Sequence, residues 1–253
     1  MSPLGIVITI LVIVFILFLL KYIFSDPYTL QNMQDGKSAT TISASTLATN
    51  GNSVPFSNFS YSIWFYVNDW NYRYGEPKVI FGRMSAASGQ GRGSIPGVSG
   101  VDPCPAVVLG AADNSLSVSL GCFPGINQAP TTPGGRTVIH TCKVDNVPIQ
   151  RWVNLIVSVY GRSMDLYIDG KLVRTCLLPG VASVNNNSDI YVTPSGGFDG
   201  WTAKFKYYPN PTNPQEAWNI YSQGYAGWFS MFNAYQIKLS LTENGETKSS
   251  VTI

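Results

Sequence analysis

Between Val147 and Gly180 the chain reads VPIQRWVNLIVSVYGRSMDLYIDGKLVRTCLLPG, and this stretch admits few folds. Val153, Leu155, Val157 and Val159 alternate with Asn154, Ile156, Ser158 and Tyr160, the period of two that sets one face of a strand against a core. Gly161-Arg162 interrupts the pattern, after which Met164, Leu166 and Ile168 alternate with Asp165, Tyr167 and Asp169. Asp169-Gly170 is a dipeptide suited to a tight two-residue hairpin turn. Leu172, Val173 and Cys176 begin a third run, stopped by Pro179-Gly180. Three antiparallel strands in a meander are expected, with turn chemistry and hydrophobic pattern in agreement.

The rest of the chain extends the same theme. Tyr61, Ile63, Phe65 and Val67 share one parity of a strand over Phe56–Val67, with Ser60, Ser62, Trp64 and Tyr66 on the other. Further strands are expected at Lys78–Met84, at Ala106–Leu109 and Leu116–Cys122 paired across Asp113-Asn114, at Thr137–Val144, at Ser188–Thr193, and at Trp201–Tyr208 with Trp201, Ala203, Phe205 and Tyr207 on one parity. Asn213, Pro214 and Glu216 form a helix start with a capping-box acid, and Gly224 can end that helix. Its Ala217, Ile220 and Tyr221 are expected to cover an end of the sandwich. Gln236–Leu241 and Thr247–Ile253 flank Asn244-Gly245, a hairpin signal; this hairpin either completes a sheet or offers its edge to a partner. With 253 residues, 24 Gly and 16 Pro, the expected fold is an all-β, two-sheet antiparallel sandwich with many loops.

The order C-x-V-x-N-x-P-I-Q-R-W from Cys142, then YIDGKLV from Tyr167, then T-C-x-L-P-G from Thr175 resembles the laminin-G-like domains of the concanavalin A-like lectin/glucanase superfamily. GGFDGWTAKFKYYPNPTNPQEAWNIYSQG, ending at Gly224, resembles that family's closing strand and short helix. The resemblance spans roughly Phe56 to Gly224 and implies a jelly roll; because this fold carries lectins, adhesion modules, hydrolases and structural parts, it does not select an activity. Joined to an N-terminal apolar segment, the domain also resembles virion proteins of large DNA viruses that infect algae and protists.

That segment, residues 1–24, is apolar at Leu4, Ile6, Ile10, Val14, Leu20 and Phe24 and nearly everywhere between. A helix of this length reaches about 30 Å, the thickness of a bilayer's hydrocarbon, so a transmembrane anchor is expected. It lacks the basic leader and small-residue cleavage site of a signal peptide. Lys21 and Lys37 follow its apolar run Leu4–Leu20 and no Lys or Arg precedes it, which favours a cytoplasmic domain. Residues 25–55, rich in Ser, Thr, Asn and Gln, read as a polar stalk or a leading strand, 56–224 as the jelly roll and 225–253 as a hairpin extension.

Chemistry is sparse. Net charge is +2 with Lys and Arg scattered, which gives no footprint for nucleic acid. The paired carboxylates of a glycosidase, arranged E-x-D-x-x-E on one strand, are absent. Glu76, Glu216, Glu243 and Glu246 are the only glutamates, and His140 is the only histidine, so neither a histidine zinc cluster nor a Ser-His-Asp relay is supported and no enzyme is expected. No cofactor is expected, although the resemblance implies calcium, for which Asp113, Asp189 and Asp199 are conceivable ligands. Trp70, Tyr72 and Tyr74, in the loop Asp69–Glu76, either stack on sugar rings or pack on the rim.

Four cysteines permit three pairings. Cys104 and Cys122 lie symmetrically about Asp113 and are the first choice, leaving Cys142 to join Cys176. Disulfides, and sequons at Asn58 and Asn186, point to oxidising conditions, against the charge-based topology; a virion protein oxidised after insertion reconciles the two. The leading expectation is a membrane-anchored interaction protein, a minor capsid component tying an internal virion membrane to neighbouring capsid or membrane proteins. The alternative is a carbohydrate-binding lectin or adhesion protein at a cell surface.

Overall fold

The computed structural model describes residues 11, 12, 15, 16, 19, 26–47, 57–85, 101–131, 135–225, 238–243 and 246–252. Two antiparallel sheets form a sandwich. The first has seven strands: β1 (Thr29–Gln31), β2 (Gln34–Asp35), β4 (Phe59–Asp69), β9 (Trp152–Tyr160), β10 (Ser163–Ile168), β11 (Lys171–Leu177) and β13 (Asp199–Tyr208), in the order β1-β13-β4-β9-β10-β11 with β2 also on β13. The second has six: β3 (Thr40–Ile42), β5 (Lys78–Ser85), β6 (Val101–Leu109), β7 (Leu116–Cys122), β8 (Val138–Val144) and β12 (Ile190–Val192), in the order β3-β12-β5-β6-β7-β8. The strands β14 (Lys238–Glu243) and β15 (Glu246–Thr252) pair as a hairpin in a sheet of their own.

The meander is as expected. Asp169 (φ 50°) and Gly170 (φ 72°) turn β10 into β11 with both residues in the left-handed region, the combination a two-residue primed turn requires. Val153, Leu155, Val157, Val159, Met164 and Leu166 join Tyr61, Ile63, Phe65 and Val67 in one core with Val107, Leu109, Leu116, Val118 and Leu120 of the opposite sheet. An aromatic cluster crosses the sandwich, with Phe81 4.7 Å from Phe205 and Tyr61 5.5 Å from Phe81 between ring centroids. Arg83 is buried beside it and donates from Nε to the Ser188 carbonyl (3.1 Å), from Nη2 to the Asn186 carbonyl (3.3 Å) and from Nη1 to the Tyr61 hydroxyl (3.5 Å). These bonds replace the water that burial removes from the guanidinium.

Both open sides of the sandwich are tied. On one, the chain from β1 and β2 crosses to β3, so residues 26–47 pair with β13 in one sheet and β12 in the other. Of the two readings of this segment, the leading strand describes residues 26–47; residues 48–56 lie outside the described residues. On the other side, Cys142 on β8 is bonded to Cys176 on β11.

Cys104 and Cys122 are buried free thiols, contrary to the expected bridge. The β6–β7 register pairs Ala106 with Ser119 and Leu109 with Leu116; carried two residues on, it sets Cys104 against Gly121, one place from Cys122. Burial pushes the Cys104 thiol up to about 12, against the opposing pull of Arg83.

Leu11, Val12, Phe15, Ile16 and Leu19 are helical with exposed side chains. Among the described residues no helix is long and apolar enough to cross a membrane. The anchor positions Leu4, Ile6, Ile10, Val14, Leu20 and Phe24 lie outside the described residues, as do residues 86–100 and Asn244-Gly245, where the hairpin turn is expected.

The helix α1 (Pro214–Ser222) begins as expected: the Asn213 side chain accepts from the Glu216 backbone N–H (2.9 Å) and the Glu216 carboxylate from the Asn213 N–H (3.0 Å). It does not cover an end of the sandwich. It lies on the outer face of the seven-stranded sheet, where Ala217 is buried with Ile156 and Tyr167 and Ile220 packs beside them. Ile156 and Tyr167 sit on the parity that alternation assigns to solvent, and their apolar bulk gives the helix its seat. The loop before the helix is fastened to the same face, since the Thr212 N–H donates to the Ser158 hydroxyl (2.8 Å) and Tyr167 donates to the Thr212 carbonyl (3.4 Å).

Candidate ligand-binding face

Beyond the reach of α1, the same outer face carries a row of aromatic rings. Trp201 on β13 is paired with Tyr66 on β4, and Tyr66 with Trp152 on β9. Adjacent strands are about 4.8 Å apart, so three such residues make a platform roughly 10 Å across. Tyr66 and Trp152 have ring centroids 5.8 Å apart, and Tyr225, just after α1, stacks on Trp152 at 4.4 Å and 10°. Trp64, one row along, stacks on Tyr221 of the helix at 5.5 Å. Met33 closes the open side, and with Tyr66, Trp152 and Trp201 it lines a shallow cavity of about 390 Å³. Trp201 is 48% exposed and Met33 54%, a concentration of apolar surface that soluble domains rarely leave bare without a use.

Trp201 reaches this row through two irregularities in β13. A regular alternation over Trp201, Ala203, Phe205 and Tyr207 would send all four to the core. Instead the pairing with β4 slips between Ala203 and Lys206, with Lys204 at φ 43°. This bulge inserts one residue and exchanges the faces: Phe205 and Tyr207 belong to the core, whereas Trp201 lies outside. Gly200, at φ 151°, brings β13 against β4, because a Cβ built there would lie 1.8 Å from the Tyr66 carbonyl oxygen.

A polar row borders the aromatic one. Asp199, Asn68 and Gln150 stand two residues along the same three strands or their lead-ins from Trp201, Tyr66 and Trp152. Asn68 donates to Asp199 Oδ2 (2.9 Å), and Gln150 donates to the Asn68 carbonyl (3.5 Å). Lys37 pairs with Asp199; the hydrogen bonds from Lys37 and Asn68 hold the Asp199 carboxyl below the usual carboxylate range, so it remains an acceptor at neutral pH. An apolar floor with hydrogen-bonding groups along one edge suits a ligand that has an apolar face and a hydroxylated rim.

The loop aromatics singled out in the sequence do not form this platform. Trp70 packs against the core, with the Lys78 ammonium 5.3 Å from its ring; Tyr72 donates to the Gly196 carbonyl (3.2 Å) and has Lys37 over its face. Tyr74 alone of the three is strongly exposed, at 64%. Arg73 anchors the loop by bonding both Glu76 and the Ser195 carbonyl. The three conceivable calcium ligands also have separate duties: Asp113 pairs with Lys143, Asp189 accepts from the Ala44 N–H, and Asp199 belongs to the polar row. Among the described residues no three or more His, Cys, Asp or Glu side chains are grouped to hold a metal ion. His140 is part-exposed on β8, opposite Leu120.

No family model and no curated protein matches the sequence. Solved structures do match. The receptor-binding domain of botulinum neurotoxin D superposes with a TM-score of 0.53 at 14% identity, covering 78% of this chain and 46% of that one. The botulinum neurotoxin serotype D binding domain gives 0.53 at 13%, covering 76% and 43%. The serotype D ligand binding domain, crystallised in complex with N-acetylneuraminic acid, gives 0.51 at 14%, covering 78% and 43%. The fold shared with them is a two-sheet antiparallel β-sandwich. This chain spans less than half the length of those neurotoxin domains, so the likeness speaks for the sandwich and not for their binding activity.

Proposed function

We propose that this β-sandwich protein is a non-catalytic carbohydrate-recognition module, with the apolar face of a sugar resting on the surface formed by Trp201, Tyr66 and the part of Trp152 that Tyr225 leaves open. The observation that carries this reading is the aromatic row with its hydrogen-bonded edge of Asp199, Asn68 and Gln150. A pyranose presents C–H groups on its faces and hydroxyls around its rim, so a flat ring surface removes the former from water while carboxylate and amide groups engage the latter. The aromatic side chains lose little conformational freedom in doing so, having only two χ angles each. That a structurally similar domain was crystallised with N-acetylneuraminic acid accords with sugar recognition by this type of scaffold. The test is a glycan array probed with the full-length chain. Wild type is expected to retain specific glycans, and W152A and W201A to lose at least tenfold in apparent affinity with unchanged circular dichroism. Retention of the same glycans by both variants would rule the row out.

A second reading, a structural link between a virion's internal membrane and its capsid, draws on the apolar segment Leu4–Phe24 and on the pairing of residues 26–47 with both sheets, which would transmit force from an anchor to the sandwich. Under that reading the platform docks on a neighbouring capsid protein and carries no sugar. Cross-linking from Tyr66 or Trp152 positions in the native assembly, combined with alkaline extraction of the membrane, discriminates the two.

A further inference from the structure

A second concavity lies on the same outer face, at the other end of β13. Tyr28 and Tyr208 form one wall, their rings 5.2 Å apart and tilted by 38°, with Tyr28 39% exposed. Glu216 of α1 and Gln223 just after it form the other. At its base is Lys206, whose side chain is only 8% exposed and whose Nζ lies 2.6 Å from Asp26 Oδ2 and 3.3 Å from Gln223 Oε1. The groove is open to solvent and its volume is about 360 Å³, at the small end of the range of roughly 300–1,000 Å³ typical of ligand pockets. Along β13 it is separated from the aromatic row by about 20 Å, from the rise per residue of a strand, and the C-terminal end of α1 lies between them.

We propose that this groove is a second carbohydrate subsite and that it selects an uncharged sugar; the proposal rests on the reading of the outer face as a carbohydrate-binding surface. The tyrosine wall supplies a ring for the sugar's apolar face. The carboxylates of Asp26 and Glu216 supply acceptors for hydroxyl donors, and hydrogen bonds to charged groups are the stronger kind. Burial and the neighbouring Asp26 carboxylate raise the Tyr208 hydroxyl above its ordinary range, so it stays protonated and able to donate.

Selectivity follows from charge. Asp26 already neutralises Lys206, so the charged side chains among the described residues lining the groove, Asp26, Lys206 and Glu216, leave one negative charge in excess. Lys204, on the same strand, is turned onto the carbonyl oxygens of Gln223 and Gly224 at the end of the helix (3.0 and 2.8 Å). A carboxylated sugar entering here meets a like charge, whereas a neutral one meets only acceptors and donors.

The experiment uses the full-length chain on an array of neutral and sialylated oligosaccharides, with Y28A, E216Q and W152A compared with wild type. Y28A is expected to lose at least tenfold on neutral glycans. E216Q is expected to gain about threefold on sialylated ones while its helix stays capped, since a glutamine can serve in the capping box. Thermal unfolding of each variant checks that the sandwich is intact. If Y28A leaves neutral binding unchanged while W152A reduces it, the groove is not a subsite and the aromatic row stands. If wild type prefers sialylated glycans and E216Q does not alter that preference, the charge argument is wrong. If wild type binds no glycan on the array, the groove and the reading beneath it fall together.

Discussion

On the outer face of the seven-stranded sheet, Tyr66, Trp152 and Trp201 stand in cross-strand register with Trp64 one row along, partly roofed by α1 and partly bare. At comparable positions on the outer face of the six-stranded sheet, β7 and β8 pair Ser117 with Lys143 and Ser119 with Thr141, the latter joined hydroxyl to hydroxyl at 2.9 Å. Both faces are products of the same alternation, and both back onto one core. The difference is that Thr141 and Lys143 on β8 are exposed and meet water at no cost, whereas the aromatic face gains free energy from whatever covers it, at about 25 cal/mol per Å² of apolar surface removed from water. The helix takes up part of that gain within the chain, and the remainder is available to a ligand.

The sharpest way to break this contrast is within β13, where the bulge at Lys204 puts Phe205 inside and Trp201 outside. Replacing fully buried Phe205 by Ala is expected to cost about 3–5 kcal/mol by loss of burial and creation of a cavity. Under urea, W201A should change stability by less than about 1 kcal/mol, as surface substitutions do. Similar losses for the two would mean that the face exchange at the bulge is wrong.

The disulfide is the next largest effect. Cys142 and Cys176 are 34 residues apart in sequence and join β8 to β11 across the open side. C142A/C176A is expected to lose about 2–4 kcal/mol, because the cross-link restricts the unfolded chain. Equal urea midpoints for the oxidised and reduced wild type would show that the side is closed without it.

The smallest effect is electrostatic and lies on the inner side of the six-stranded sheet. The Cys104 thiol is raised from 9.0 to about 12 by burial, so above pH 9 the folded state holds a proton that the unfolded state releases. Stability contributed by the neutral thiol is therefore complete below pH 9 and declines as pH rises towards 12, by at most about 1.4 kcal/mol per pH unit. Tyr61, raised in the same direction by burial, adds to the decline above pH 10. Between pH 9 and 10, C104A should show a shallower fall in unfolding free energy than wild type, and an identical slope would contradict the shift.

Much of the sandwich can be read along the chain: the meander, the turn at Asp169-Gly170, the Asn213–Glu216 capping box and the Tyr61, Ile63, Phe65, Val67 core face all follow from neighbours within a few residues. The candidate site was legible only in fragments. Tyr66 falls on the solvent parity and Trp152 opens its strand, but nothing local separates Trp201 from Phe205.

Periodicity and turn chemistry are short-range, and by themselves they determined that this chain forms antiparallel strands, roughly where, and which residues of the meander face inward. The assembled sandwich decided the rest: that Lys204 is a bulge, that α1 roofs a sheet face instead of an end, and that Cys142 meets Cys176 while Cys104 and Cys122 stay apart. Each of these depends on the register between strands distant in sequence. A shift of one residue there exchanges the faces, and only packing across the whole core can select between the two arrangements.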